Sequence, residues 1–406
     1  MEGKTTVQSA LPGGEMMEMV LHPRFEIESR IKRLQSRMGD LDGAVILDSV
    51  DVAYFAGTGQ EGLIYIPRDG QAVMMARKSL SRAAMESPLP VRPLRSLKDL
   101  RSELRIQPGS ALGLELDVIP FNHYTRLMRV LDGCKAVDVS ETIRHLRSVK
   151  SEFEIGLTRQ AANMVDAGLA CVPDHLTEGM REIELSSWVE KTMRDLGHQG
   201  AIRFRRYNHF LPLGHLMAGE NAAIASYVAS PTGGQGVSLL QPQGAGFRRI
   251  GRNEPVLVDF AGVYNGYTAD ETRIFSIGPL PRHLEEAHAA ALQVEEVVAS
   301  QLLSGRTGRE LFDIAESEGA RLGYGDHLGG PPGSKCGFVG HGVGLEIDEP
   351  PVLGPTDHRI VPGMTIAVEP KMIFPATGVV GIEDTFLTTE GRPIRLTGFQ
   401  SEIWQV

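Results

Sequence analysis

Residues 255–278 read PVLVDFAGVYNGYTADETRIFSIG, two alternating apolar segments on either side of the pair Asn265-Gly266. An Asn-Gly pair between such segments is the strongest short-range signal for a β-hairpin. A turn centred on this pair places Asp259 opposite Thr272 and puts both aspartates of the segment on one face of the ribbon. Asp259 and Asp270 then become diagonal neighbours, within reach of one shared ion.

Two interpretations of these aspartates remain open from the hairpin alone. One is a solvated strand face, on which the carboxylates have no special role. The other is a metal site, because aspartate is depleted in strands and the segment VLVDF is otherwise apolar. Two buried carboxylates without partners would be costly, and a bound metal ion removes that cost.

Two glutamates have the same character further along the chain. Glu369 ends the apolar segment MTIAVEP, and Glu383 lies inside VVGIEDTFLT. We expect strands near 364–369 and 379–388. Pro375 and Gly378 lie between the two glutamates and predict a second hairpin that brings them together. Each glutamate by itself is equally typical of an edge-strand charge.

A single histidine, His341, lies in GHGVGLEIDEPP, residues 340–351. A lone histidine in such a turn is more often a hydrogen-bonded turn residue than a metal ligand. The glycines at 340, 342 and 344 favour the second interpretation, because they let the backbone approach a site closely.

Together these residues form a set of four carboxylates and one imidazole: Asp259, Asp270, His341, Glu369 and Glu383. Such a set suits two divalent ions of intermediate hardness, namely manganese, iron, cobalt or zinc. Two metal ions a few ångströms apart can activate a water molecule between them and polarise a carbonyl group. The residues therefore predict metal-assisted hydrolysis.

Composition limits the class of protein. The 406 residues are 42% hydrophobic and 23% charged, a globular profile long enough for two or three domains. The net charge of −10 argues against nucleic-acid binding. No apolar run approaches a membrane span, and the N-terminus lacks the apolar core of a signal peptide. Three widely spaced cysteines form no disulfide pattern, so we expect a cytoplasmic protein.

Four segments in this order resemble the pita-bread metallopeptidases, a family that includes Xaa-Pro aminopeptidases, prolidases and methionine aminopeptidases: DFAGVYNGYTADETR, GHGVGLEIDEPP, VEPKM and IEDTFLTTEG. The likeness covers roughly residues 150–400. The N-terminal region resembles the small creatinase-type domain, which favours the Xaa-Pro branch. The resemblance implies an α+β fold with a loose tail over 1–22, a smaller α/β domain over 23–138 and a pita-bread catalytic domain over 139–406.

The resemblance also implies a role for each predicted ligand. Asp259 would bind one ion, whereas Asp270 and Glu383 would bridge both. His341 and Glu369 would bind the other ion, and Glu369 would also act as general base. We expect manganese or cobalt, with iron or zinc as alternatives.

Residues around the ligands partly depart from the family. Thr272 would support the ligands by hydrogen bonding. Asp348 and Ser226 stand where the family usually has histidines, and Gly381 stands where many Xaa-Pro enzymes have arginine. These three positions normally contact substrate or stabilise the tetrahedral intermediate. An ionised carboxylate cannot donate a hydrogen bond, so Asp348 cannot simply replace a histidine. It is either a charge on the loop, which is the favoured interpretation, or a group that recognises a substrate amine.

Two other histidines, His209 and His215 in YNHFLPLGH, lie upstream of the segment GENAA. Either is a candidate to replace a missing histidine, and either is equally a surface loop residue. The following segment, residues 229–246, is rich in Gly, Pro and Gln and is predicted to be a loop.

Three functions follow from these features. The first is metal-dependent hydrolysis of Xaa-Pro bonds at the N-terminus of short peptides, by a dipeptidase or an aminopeptidase. The second is a lyase or hydrolase of a small metabolite on the same fold, suggested by the missing histidines and arginine. The third, a binding protein without catalysis, is the weakest, because all five predicted ligands remain. We expect a homodimer by analogy with the family.

Overall fold

The computed structural model describes residues 8–10, 16–330 and 333–406. The chain forms two compact units, Met1–Arg147 and Ser148–Val406. The predicted domain boundary, 138/139, lies before a helix that belongs almost entirely to the first unit, and this boundary stays a prediction. The predicted loose tail, 1–22, lies partly outside the described residues, and its described parts include two three-residue strands.

The first unit is built on a six-stranded mixed sheet, with strand order β6-β5-β4-β3-β7-β8. Its strands are β1 (Gln8–Ala10), β2 (Met16–Glu18), β3 (Gly43–Ile46), β4 (Gly62–Pro67), β5 (Val73–Ala76), β6 (Val91–Pro93), β7 (Ala111–Leu114) and β8 (Lys135–Asp138). Its helices are α1 (Arg24–Gln35), α2 (Ser49–Ala56), α3 (Leu80–Glu86), α4 (Leu100–Glu103), α5 (Phe121–Val130) and α6 (Ser140–Ser148), with a 3₁₀ helix at Leu97–Asp99.

The local sequence explains this sheet. Asp48 follows the buried strand β3 by two residues and caps α2, accepting a hydrogen bond from the Val50 amide at 2.9 Å. Gly57 ends the same helix in the left-handed conformation that glycine adopts readily. An α/β N-terminal unit is therefore confirmed.

The second unit contains two larger sheets and one hairpin, with strand orders β19-β11-β10-β9, β13-β12-β14-β17-β18 and β15-β16. Its strands are β9 (Gly214–Ala218), β10 (Val256–Tyr264), β11 (Tyr267–Ser276), β12 (Gly340–Gly342), β13 (Glu349–Val352), β14 (Thr365–Val368), β15 (Lys371–Phe374), β16 (Gly378–Gly381), β17 (Asp384–Leu387), β18 (Ile394–Arg395) and β19 (Trp404–Gln405). Its helices are α7 (Glu152–Ala170), α8 (Val172–His175), α9 (Glu182–Asp195), α10 (Arg282–Ser300) and α11 (Gly308–Arg321), with a 3₁₀ helix at Gly219–Ala223.

Helices cover the sheets of the second unit through two apolar clusters. Val294 of α10 and Leu311 of α11 share one fully buried cluster with Ile366 of β14. Val165 of α7 shares the other with Val258 of β10. Burying such side chains stabilises each layer by about 1.5–3 kcal/mol per residue. The functional side chains lie on the strands that these helices support.

The β10–β11 hairpin has the predicted register. Asp259 faces Thr272, and Asp270 faces Ala261. The turn is made by Asn265 and Gly266, both with positive φ, as a type I′ hairpin turn requires. The predicted pairing is confirmed, because the turn residues and the strand alternation both specify it.

The second predicted hairpin is also present, but one predicted strand is divided. β15 and β16 pair between the two glutamates, with Lys371 opposite Gly381. The strand predicted over 379–388 was wrong as a single element, since β16 ends at Gly381 and β17 begins at Asp384. Glu383 lies in this break and forms a β-bridge with Thr272. The break is what lets Glu383 join the aspartate hairpin.

A buried arginine fixes this junction. The Arg273 guanidinium is 1% exposed and donates to the Glu383 carbonyl at 2.9 Å and to Asp384 Oδ1 at 2.8 Å. It also donates to the Phe399 carbonyl at 2.7 Å. A buried cation with this many acceptors holds the backbone of three segments together.

Among the described residues, no helix is both long and apolar enough to cross a membrane.

Candidate metal centre

The structure brings all five predicted ligands together. The two aspartates lie on the β10–β11 hairpin, His341 on β12, Glu369 directly after β14, and Glu383 between β16 and β17. The four carboxylate residues are buried, and His341 is partly buried. Five separate strands or strand ends therefore supply the cluster, which explains why no single motif of the sequence displays it.

Three of the five form the part of the cluster that we call the open half: Asp270, His341 and Glu383. Each offers one ligand atom, and the three atoms lie within 4.8 Å of one another. His341 Nε2 lies 4.0 Å from Asp270 Oδ2 and 3.9 Å from Glu383 Oε1. It lies 3.4 Å from Glu369 Oε1, so a third carboxylate borders this half.

Hydrogen bonds leave the open half with lone pairs that face one another. His341 Nδ1 lies 3.3 Å from the Gly342 carbonyl, which can only accept, so in the neutral ring Nε2 presents its lone pair. Thr272 Oγ1 donates to Glu383 Oε2 at 2.8 Å. Glu383 Oε1 is buried and has no hydrogen-bond partner among the described residues. This arrangement calls for a cation.

The rest of the cluster, the closed half, is filled by a lysine that the sequence analysis missed. Lys371 Nζ donates to Asp259 Oδ2 at 2.9 Å and to Glu369 Oε2 at 2.8 Å. It donates to Glu383 Oε2 at 2.8 Å as well. The lysine side chain is 1% exposed. Its sequence context, VEPKM, reads as an ordinary strand-end charge, so no local signal identified it.

His215 completes the closed half. It faces Asp259 in the β9–β10 ladder, and its Nε2 donates to Asp259 Oδ2 at 2.9 Å. Gln243 donates to His215 Nδ1 at 3.2 Å, and Thr232 Oγ1 lies 3.1 Å from Nε2. Both belong to the glycine-rich loop predicted over 229–246. This loop therefore holds the ring of a histidine that the sequence analysis left as one of two alternatives.

The pKa values of the open-half carboxylates are raised, whereas that of Asp259 in the closed half is lowered. Burial, with the nearby charges of Glu383 and Asp259, raises the pKa of Asp270 well above its usual value. Burial also raises the pKa of Glu383, to about 8. Burial alone would raise the pKa of Asp259, but the Lys371 ammonium and His215 hold it below its usual value. Burial would lower the pKa of Lys371, and the carboxylates around it raise it instead.

The three positions that depart from the family have protein partners or close neighbours. Asp348 Oδ1 accepts a hydrogen bond from the Arg205 amide at 2.8 Å. Ser226 Oγ donates to Gln243 Oε1 at 3.0 Å. Gly381 packs directly against the facing strand at Lys371. His209 lies apart from the cluster, with Nδ1 3.0 Å from the Tyr207 carbonyl.

A buried ion pair shapes the loop that follows His341. Glu349 accepts from Lys150 Nζ at 2.9 Å and from the Leu345 amide at 3.0 Å. A side chain at Gly344 would collide with the Glu349 carboxylate. The close approach at Gly344 is therefore to a carboxylate of its own loop, whereas Gly340 and Gly342 lie close to the backbone carbonyls of Ala367 and Pro350 on the neighbouring strands.

The residues present fit one divalent ion in the open half. Two carboxylates and an imidazole are a donor set for manganese, iron, cobalt or zinc, and Glu383 Oε1 is an acceptor without a partner. The predicted ligands of a second ion fit less well. Asp259 Oδ2 and Glu383 Oε2 already accept hydrogen bonds from Lys371.

A two-unit chain with such a centre in its second unit defines a class, the metal-dependent hydrolases of the pita-bread fold, in agreement with the predicted fold. Residues 156–390, more than half of the chain, match metallopeptidase family M24. Residues 30–149 match the creatinase/prolidase N-terminal domain. The chain belongs to metallopeptidase family M24, and the family resemblance predicted from the four segments is confirmed.

Individual relatives agree over nearly the whole length. The chain is 29% identical over 385 residues to an Xaa-Pro dipeptidase from Pyrococcus furiosus, covering 93% of this chain and 100% of that one. It resembles the crystal structure of the prolidase from Pyrococcus horikoshii OT3, with a TM-score of 0.77, 26% identity and coverage of 92% and 99%. An Xaa-Pro dipeptidase from Bacillus anthracis gives a TM-score of 0.80 at 25% identity, covering 94% and 100%.

Proposed function

We propose that this protein hydrolyses Xaa-Pro bonds at the N-terminus of short peptides with the help of bound metal. The observation that carries the proposal is the open half, where ligand atoms of Asp270, His341 and Glu383 converge. The buried Oε1 of this Glu383 has no hydrogen-bond partner among the described residues. Support for the substrate class comes from relatives that are named Xaa-Pro dipeptidases.

The open half would hold the ion through Asp270, His341 and Glu383. A divalent ion supplies polarisation of a carbonyl group and activation of water. Glu369 borders this half through Oε1 and would accept the proton of the attacking water as general base. Its other oxygen is held by Lys371, which fixes the direction in which Oε1 points. Thr272 orients Glu383 in the same way.

The experiment is hydrolysis of Xaa-Pro dipeptides and Xaa-Pro tripeptides by protein loaded with manganese or cobalt. The same peptides with alanine in place of proline test the specificity, and a chelated sample tests the metal requirement. We expect metal-dependent cleavage of the proline peptides. Preference for dipeptides indicates a dipeptidase, and preference for tripeptides an aminopeptidase. Metal-bound protein that cleaves none of these peptides would refute the proposal.

A second function, a lyase or hydrolase of a small metabolite, is favoured by the surroundings of the site. A hydrogen-bonded carboxylate, a hydrogen-bonded hydroxyl and a glycine stand at the three positions where the family resemblance implies two histidines and an arginine. Loss of such donors can reduce a rate by about 10²–10³ for each donor. Screening metal-loaded protein against small amides and carboxylic acids distinguishes this function from peptide hydrolysis.

Three further properties belong to the proposal. Manganese or cobalt is the expected metal, since two carboxylates and an imidazole bind either. A homodimer is expected by analogy with the family, and a monomeric mass from solution scattering would exclude it. A cytoplasmic location is expected because the cysteines, Cys134, Cys171 and Cys336, are all unpaired.

A further inference from the structure

We infer that each chain holds one divalent ion, and that the Lys371 ammonium group permanently occupies the place of a second. This inference deepens the proposed function and rests on it for the identity of the first ion. It replaces the two-ion arrangement that the family resemblance implies.

The first argument is the overlap of positions. Lys371 Nζ lies 2.9 Å from Asp259 Oδ2 and 2.8 Å from Glu383 Oε2. An ion shared by Asp259 and Glu383 would lie about 2.0–2.2 Å from carboxylate oxygens of the same two residues. Two cations cannot share these oxygens at such distances without strong repulsion. The ammonium group therefore competes directly with an ion in the closed half, and it is covalently tethered there.

The charges of the cluster point the same way through repulsion. The cluster contains four buried carboxylates, those of Asp259, Asp270, Glu369 and Glu383. Lys371 and one divalent ion leave one net negative charge, whereas Lys371 and two divalent ions leave one net positive charge. In the second state the added ion would share Asp259 and Glu383 with the ammonium group and would be repelled by it at close range.

The third argument is that the fold makes room for this lysine. Lys371 faces Gly381 across the β15–β16 ladder. A Cβ atom on Gly381 would lie 3.0 Å from Lys371 Cγ, 2.8 Å from Lys371 Cα and 2.6 Å from the Pro370 carbonyl oxygen. The absence of a side chain at Gly381 thus lets the lysine stem pack closely against β16.

The closed half is also complete without a metal. Asp259 receives a second hydrogen bond from His215, so its Oδ2 already has two donors. The His215 ring is itself fixed by Gln243 and Thr232. By contrast, Glu383 Oε1 in the open half has no hydrogen-bond partner in the part of the chain that the structure describes. Only the open half is built to receive an ion.

The test counts metal. Purified full-length protein is stripped with a chelator, loaded with excess Mn²⁺, freed of unbound ion by gel filtration and analysed for manganese per chain by plasma mass spectrometry. Electron paramagnetic resonance of the same samples distinguishes isolated Mn²⁺ from an exchange-coupled pair. Three proteins are compared: wild type, Lys371→Gly, which empties the closed half, and Lys371→Met, which removes the charge but keeps most of the volume.

We expect one Mn²⁺ per chain and an uncoupled spectrum for wild type and Lys371→Met. We expect two ions per chain and a coupled spectrum for Lys371→Gly. Two ions in wild-type protein overturn the inference, whether or not either variant folds. A folded Lys371→Gly protein that still binds a single ion overturns it as well.

Failure of the inference and failure of the proposed function remain distinguishable. Two ions with intact Xaa-Pro hydrolysis contradict only the role of Lys371. One ion without hydrolysis of any Xaa-Pro peptide contradicts only the peptidase function. Wild-type protein without bound ion contradicts both.

Discussion

The open and closed halves of the cluster are made from the same kinds of residue and yet differ in what they need. In the open half, His341 and two carboxylates face one another at 3.9–4.0 Å. In the closed half, Lys371 and His215 already satisfy Asp259 at 2.9 Å each. The difference teaches that a set of metal-type ligands is not itself a metal site. The decisive feature is whether a cation of the protein has already taken the shared oxygens.

The largest expected effect comes from removing a ligand of the open half. Asp270→Ala should abolish metal binding, because this carboxylate is one of only three ligands that converge there. Asp348→Ala should leave metal content unchanged, because Asp348 accepts a hydrogen bond from the Arg205 amide and is not one of the ligands that converge in the open half. Metal analysis of both variants after loading checks this. Equal metal loss from the two would mean that the open half has been assigned wrongly.

The next effect tests the closed half through stability. Lys371→Met strands carboxylates that share one buried cation, and breaking such an arrangement costs about 3–5 kcal/mol. Urea unfolding of metal-free protein measures the loss. Lys150→Met is the matched control, since it removes a buried ammonium from Glu349 outside the cluster. We expect a smaller loss there, because one carboxylate is stranded instead of three, and an unaltered metal content. A Lys371→Met protein as stable as wild type would contradict the comparison.

Acid should destabilise the packing of β10, the strand that carries Asp259, through protonation of His198. His198 Nε2 donates to the Ala261 carbonyl on β10, and Nδ1 accepts from the Gly200 amide, so the neutral ring is fully used. Burial, with the charge of Arg194, lowers the pKa of His198 from 6.5 to about 4. A lowered pKa means that the unfolded chain binds this proton more tightly. The stabilising contribution is present above pH 6.5 and is lost as the pH falls toward 4.

The full contribution of this histidine amounts to roughly 3 kcal/mol of unfolding free energy. Unfolding of wild type and His198→Gln in urea, repeated between about pH 7 and pH 4, isolates it. The difference between the two proteins should shrink as the pH falls. A difference that is constant with pH would show that acid sensitivity arises elsewhere.

The smallest predicted effect is a change in the metal affinity of the open half. Thr272→Val removes the hydrogen bond that orients Glu383, and loss of such a bond typically weakens metal binding about 10–100-fold. Calorimetric titration with Mn²⁺ measures the affinity. Thr388→Val is the control, because its buried hydroxyl donates to the Val361 carbonyl away from the cluster. Weakened binding in both variants would point to a general loss of structure.

The sequence predicted the parts of this site that rest on local signals. Asn265-Gly266 and the strand alternation specify the register that pairs Asp259 with Thr272, and the structure has that register. Pro375 and Gly378 predict the hairpin between the two glutamates, and it is present. Turn chemistry and period-two patterning act over a few residues, so a single chain displays them directly.

The rest depends on which strands become neighbours. His215 approaches Asp259 only because β9 pairs with β10 in one register. Lys371 reaches three carboxylates because its side chain points into the cluster from a strand that the sequence shows only as a hairpin arm. The predicted strand 379–388 is divided at Glu383, and Arg273 of β11, which belongs to another sheet, donates a hydrogen bond to the Glu383 carbonyl there. Each of these three features depends on contacts between segments that are far apart in the sequence.

The bare position opposite Lys371 also constrains how the site can change. Any side chain at Gly381 meets the backbone of Pro370 and Lys371 on the facing strand. An arginine introduced there alone would have to displace the strand that carries the lysine, and losing the lysine alone would strand buried carboxylates. Neither single step is neutral, so the two positions are epistatic. Exchanging one arrangement for the other in this protein therefore requires both residues to change together.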